Sequence, residues 1–112
     1  MKSISTHVLD IARGSPATGV PVRLERQEAP GNWRLVAESR TNGDGRCDLA
    51  GSEALKAGLY RLLFDTGHYF AAQKADTLYP LVAVTFEVRG TESHLHLPLL
   101  LSPNSYTTYR GT

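Results

Sequence analysis

Apolar residues along this chain recur mostly at every second position, the period of a strand that buries one face. The segments "HVLDIA" (7–12), "PVRLERQE" (21–28), "NWRLVAESRT" (32–41), "LYRLLFDT" (59–66), "LVAVTFEV" (81–88), "SHLHLPLLLS" (93–102) and "SYTTYR" (105–110) read as strands. Val22, Leu24 and Arg26 share a face in the second, and Trp33, Leu35 and Ala37 in the third. Between them stand "RGSPATG", "APG" and "NGDG", where Gly, Pro, Asn and Asp favour turns. Asn and Gly in "NGDG" (42–45) accept positive φ at little cost, which makes it the strongest turn signal in the chain. "SEALKA" (52–57), with Ser52 placed to cap, and "HYFAAQKA" (68–75) could form short helices, but neither is long enough for a helical layer. The pattern predicts an all-β fold, a two-sheet sandwich of seven to eight strands with a short helix.

The segment from His94 to Leu101 carries the first hint of chemistry. Strand alternation sends Leu95, Leu97, Leu99 and Leu101 to one face, which reads as core, and His94, His96, Pro98 and Leu100 to the other. In the first strand His7 shares its face with Leu9 and Ile11. Imidazoles beside leucines, opposite the core, suggest a surface that another subunit covers.

Composition changes this picture little. A chain of 112 residues fits one domain, spanning 1–112, with a single core. A formal charge of +1 gives no argument for a nucleic-acid or membrane partner. The opening residues lack a signal-peptide apolar region, and no apolar run approaches the ~18 residues of a membrane span. The single cysteine excludes an intrachain disulfide and agrees with a reducing compartment, so a cytoplasmic location is expected.

Five blocks, "HVLDIARGSPATGVPVRLER", "TNGDGRC", "YRLLFDTGHYF", "LYPLVAVTFEV" and "HLHLPLLLSPNSYTTYRGT", together resemble the transthyretin-related 5-hydroxyisourate hydrolases of urate degradation. The resemblance runs from Ser5 to Thr112, in order and without large gaps. Transthyretin shares the "VLD…RGSPA" and "LLSP" blocks, so those mark the transthyretin-like fold. The hydrolases are marked instead by an early histidine, an arginine after the turn, the H-x-H-x-P strand and a terminal Tyr-Arg-Gly-Ser/Thr. Here those positions are His7, Arg46, His96 and Tyr109–Thr112. Thr112 stands where the family usually ends in Ser and keeps the hydroxyl, and Leu95 replaces a common aromatic.

The resemblance implies a homotetramer, a dimer of dimers, with active sites in the channel between dimers; a symmetry mate would then cover the histidine face. It also implies the substrate, 5-hydroxyisourate, a flat oxidised purine whose ring opens when water adds to a lactam carbonyl. That step needs a base for the water and donors for the oxyanion. The implied catalytic set is His7, Arg46, His96 and Thr112, with His7 and His96 holding and deprotonating the water. His7, Arg46, Tyr109 and Arg110 are the implied substrate contacts, the guanidinium forks matching carbonyl edges. No cofactor or metal is expected.

Competing readings are plainer. Cys47 follows Arg46, so in an extended segment it points away from Arg46 and into the core. His94 and His96 could present two imidazoles to a metal, but no third ligand stands at a convincing spacing. His68 reads as a surface residue, Asp44 as turn chemistry, and Arg23/Glu25 as a solvated strand face. A non-catalytic small-ligand carrier using the same channel is the alternative function. Its channel should be more apolar and needs no base.

Overall fold

The computed structural model describes residues 3–50 and 54–112, which form two β-sheets and one short helix. The strands are β1 (Ile4–Asp10), β2 (Ser15–Pro16), β3 (Pro21–Ala29), β4 (Asn32–Arg40), β5 (Arg46–Leu49), β6 (Gly58–Phe64), β7 (Val82–Val88), β8 (Leu95–His96), β9 (Leu99–Ser102) and β10 (Ser105–Thr108); α1 spans Thr66–Ala71. One sheet runs β4-β3-β6-β7, antiparallel throughout. In the other, β1 is central: its first half lies between β5 and β8, its second half between β2 and β9, and β10 pairs with β9 at the edge.

Alternation builds the core as the sequence indicates. Ile4, Val8, Leu49, Leu95, Leu97, Leu99 and Leu101 face Val22, Leu24, Tyr60, Leu62, Phe64 and Val82 across the sandwich. The leucine row survives a break in its strand: at Leu97 and Pro98 the single expected strand splits into β8 and β9, yet all four leucines stay buried. Pro98 has no N–H for the ladder, which accounts for the gap.

Other expectations shift. β1 begins at Ile4 and ends at Asp10, earlier than 7–12, and β10 stops at Thr108, leaving Tyr109 and Arg110 outside it. The helix expected over 68–75 instead spans Thr66–Ala71, because the Asp65 side chain caps it by accepting from the His68 amide. The helix expected over 52–57 does not form at 54–57; Ser52 lies outside the described residues. Trp33, Leu35 and Ala37 do not share a face. A bulge opposite Leu24 and Glu25 makes Ala37 pair with Leu24 while Leu35 pairs with Glu25, so Val36 and Ala37 pack on the core and Leu35 is exposed. Glu25 is buried, not solvated: Arg61 reaches it from β6 with Nε at 2.8 Å and Nη2 at 2.7 Å, and the guanidinium lies 4.3 Å from the Trp33 ring centroid.

Candidate active site

The outer face of the β5-β1-β8 strip gathers the ionisable residues. Antiparallel pairing sets His7 opposite Arg46 and Ser5 opposite Asp48; parallel pairing sets Ser5 opposite His96. Asp48, Ser5 and His96 therefore form one row across three strands, with Arg46 and His7 in the next register. Arg46 is held at its start by Asn42, whose Oδ1 accepts from the Arg46 and Asp44 amides and fixes the turn. Gly45 in that turn has φ +77°, and a Cβ there would stand 2.4 Å from the Val8 carbonyl oxygen, so only glycine fits.

This row opens onto a concavity of about 380 Å³ lined by Ser5, Thr6, Asn42, Arg46, Asp48, His94, His96 and Thr112. Arg46, His96 and Thr112, three of the sequence candidates, meet there. His7 stands beside it: its Nε2 lies 2.8 Å from the Asp44 carbonyl oxygen, which can only accept, so Nε2 carries a proton and Nδ1 is the bare nitrogen of the neutral ring. Tyr109 and Arg110 do not line the concavity; both are exposed, and Arg110 lies near enough to Glu92 to act on its charge. Ser5, Asp48 and His94 are the additions. Ser5 and Asp48 were within reach of the alternation rule, two positions before His7 and two after Arg46.

His96 is the most organised group. Its Nδ1 is 2.7 Å from Ser5 Oγ, and its carbonyl accepts the Gly111 amide at 2.7 Å, which draws the chain end over it. Burial foremost, then the Arg46 guanidinium and the proximity of the His7 and His94 imidazoles, push its pKa below the ordinary 6.5, with Asp48 opposing. Its imidazole is thus neutral, and free to accept a proton, at physiological pH.

Cys47 points into the core, where burial pushes its thiol pKa up, so it is a poor nucleophile. Among the described residues no group of three or more His, Cys, Asp or Glu could hold a metal, and no helix is long and apolar enough to cross a membrane. A second concavity of about 490 Å³ lies between the β1–β2 turn and α1, with Arg13, Arg40, His68 and Tyr69 on its wall. None of the sequence candidates reaches it.

Fold and site define a β-sandwich protein with a polar concavity of imidazoles, an arginine and hydroxyls on the outer face of one sheet. The chain belongs to the HIUase/Transthyretin family, whose model matches residues 4–111. It is 47% identical over 111 residues to 5-hydroxyisourate hydrolase of Mus musculus, covering 97% of this chain and 94% of that protein. Among solved structures, 5-hydroxyisourate hydrolase of Klebsiella pneumoniae superposes with TM-score 0.88 at 37% identity, covering 100% of both chains. Sea bream transthyretin in complex with thyroxine superposes with TM-score 0.90 at 32% identity, covering 97% of this chain and 94% of that one.

Proposed function

We propose that this protein is a hydrolase that opens the six-membered ring of 5-hydroxyisourate, giving 2-oxo-4-hydroxy-4-carboxy-5-ureidoimidazoline in urate degradation. The observation that carries this reading is the meeting of Arg46, His96 and Thr112 in one concavity, in a chain whose curated relatives are named 5-hydroxyisourate hydrolase. A small-ligand carrier needs no base in its channel, so the neutral His96 imidazole beside Arg46 favours the hydrolase over that alternative.

In the proposed mechanism water is activated by imidazole, without metal or cofactor. His96 removes a proton as the water oxygen attacks the lactam carbonyl. His7, with Nε2 held by the Asp44 carbonyl, offers Nδ1 to the same water. The Arg46 guanidinium takes the oxyanion and the carbonyl edge of the purine. The Thr112 hydroxyl holds the attacking water. Tyr109 and Arg110 act as substrate contacts once the chain assembles.

The assembly proposed is a homotetramer, a dimer of dimers. Leu9 and Leu100 flank the histidine face partly buried, while Ile11, Leu78 and Leu81 are more than half exposed. A lone chain would leave this apolar surface in water. The identity of the product tests the reaction itself: carbon NMR of freshly made 5-hydroxyisourate mixed with the protein should show a new carboxylate carbon and loss of the ring lactam. Unchanged substrate spectra, beyond spontaneous decay, would overturn the reading.

A further inference from the structure

His94, which the alternation pattern alone leaves without a role, is tied to His96 through one hydroxyl. Ser5 Oγ lies 2.7 Å from His96 Nδ1 and 2.8 Å from His94 Nε2, and His94 Nδ1 lies 2.9 Å from Ser3 Oγ. We propose that His96, Ser5 and His94 form a proton relay, which stores the proton of the attacking water and returns it to the leaving ring nitrogen. The proposal rests on the hydrolytic reading of the concavity.

The donor count supports it. A serine hydroxyl has one proton to give, and a neutral imidazole has one N–H and one bare nitrogen. The chain therefore closes in two directions only. In the first, His96 Nδ1–H donates to Ser5, Ser5 donates to His94 Nε2, and His94 Nδ1–H donates to Ser3. This leaves His96 Nε2 bare, as a base. In the second every donor is reversed, and His96 Nε2 carries a proton, as an acid. Nε2 has no hydrogen-bond partner among the described residues, while the residue itself lines the concavity. Hydrolysis of a lactam needs a base for attack and then an acid for departure of the nitrogen, so the His96–Ser5–His94 part of the chain runs both ways in turn, with His94 keeping its Nδ1 proton to Ser3 throughout.

The proton account closes. In the attack, a water O–H bond breaks and its proton goes to His96 Nε2. The freed oxygen pair forms the bond to the carbonyl carbon, whose π pair moves onto oxygen beside Arg46. His96 gives its Nδ1 proton to Ser5 Oγ as Ser5 gives its own to His94 Nε2. The positive charge then rests on His94, which is exposed to water, not on half-buried His96 beside Arg46 and His7. On collapse, the oxygen pair re-forms the carbonyl and the C–N bond breaks. The nitrogen takes the His96 Nε2 proton as the chain shifts back. The new carboxylic acid loses its own proton to solvent.

A purely structural hydroxyl is the competing account, and the backbone already supplies what it would do. Ser5 pairs with His96 in the ladder, and its carbonyl accepts the Leu97 amide at 2.8 Å. The test is steady-state kinetics on 5-hydroxyisourate, in light and heavy water, for wild type, Ser5→Ala, Ser5→Thr and His94→Ala, with melting curves for each. Loss of kcat of about 10- to 100-fold at nearly constant KM is expected for Ser5→Ala and His94→Ala, part of what general acid–base catalysis supplies. Ser5→Thr should keep activity, added imidazole should restore His94→Ala, and the curved wild-type dependence on deuterium fraction should become linear in Ser5→Ala. Active wild type with both alanine variants at full kcat, or with losses that follow KM or melting alone and ignore imidazole, overturns the relay and leaves the hydrolase standing. A wild-type protein that leaves the substrate untouched overturns both.

Discussion

Gly111 donates its amide to the carbonyl of His96 at 2.7 Å, and a Cβ on Gly111 would stand 2.6 Å from His96 Cδ2. The chain end thus lies on the ring of the proposed base with no room for a side chain. Gly111→Ala must move either the tail or the imidazole. Misplacement of a catalytic group by about 1 Å can cost ~10²-fold, so kcat should fall by roughly 10- to 100-fold. The melting temperature should hardly change, because Gly111 lies outside the strands. Kinetics with a parallel melt check this; unchanged kcat would remove the tail from the site.

The lowered pKa of His96 gives a signed pH dependence. Its neutral, basic form persists below the ordinary 6.5, so the acid limb of kcat/KM should fall lower than for a free imidazole. Stability runs the other way. Well above 6.5 neither folded nor unfolded His96 binds the proton, and the residue contributes nothing. As pH drops through 6.5 the unfolded chain takes up a proton that the folded one refuses, so stability declines until the folded pKa is reached. His96→Asn should therefore lose less stability than wild type between pH about 8 and about 5. Thermal melts across that range decide it, and parallel curves would contradict the shift.

Glu25 is the other charged group with a clear energetic role. Its side chain is 9% exposed and that of Arg61 29%, so the pair is partly screened. Glu25→Gln should destabilise by about 1–3 kcal/mol, less than the 3–5 kcal/mol of a fully buried pair, since Arg61 keeps a neutral acceptor and some water. Activity per folded molecule should stay level, because Glu25 lies on the other sheet. Urea denaturation with an activity assay tests both halves.

How much of this was legible in the sequence follows from what each residue depends on. Strand alternation placed Leu95, Leu97, Leu99 and Leu101 in the core and His96 opposite, since that depends on period alone. The reversal of Ala37 relative to Leu35 came from a bulge, which depends on the partner strand and leaves no local mark. Glu25 looked solvated because its partner Arg61 stands far along the chain. Ser5 and Asp48 followed the period but have no distinctive chemistry until cross-strand register sets them beside His96. His7, Arg46, His96, Thr112, Tyr109 and Arg110 came from motif resemblance, and their roles in turnover stand as proposals.

Assembly offers a further check. With Leu78 67% and Leu81 56% exposed on the single chain, a tetramer is expected at micromolar concentration. Sedimentation velocity should show one species of four chains. A stable, fully active monomer would sink the shared channel and the substrate roles proposed for Tyr109 and Arg110.

The central claim, that the Arg46–His96 concavity hydrolyses 5-hydroxyisourate, is tested most directly by stopped-flow ultraviolet absorbance on freshly made substrate, with wild type and Arg46→Ala side by side. Wild type should speed the decay far beyond the spontaneous rate. Arg46→Ala, folded and assembled alike, should lose about 10²–10³-fold in kcat, the usual cost of removing one oxyanion donor. A wild-type trace that overlays spontaneous decay would contradict the account; so would an Arg46→Ala trace that overlays wild type.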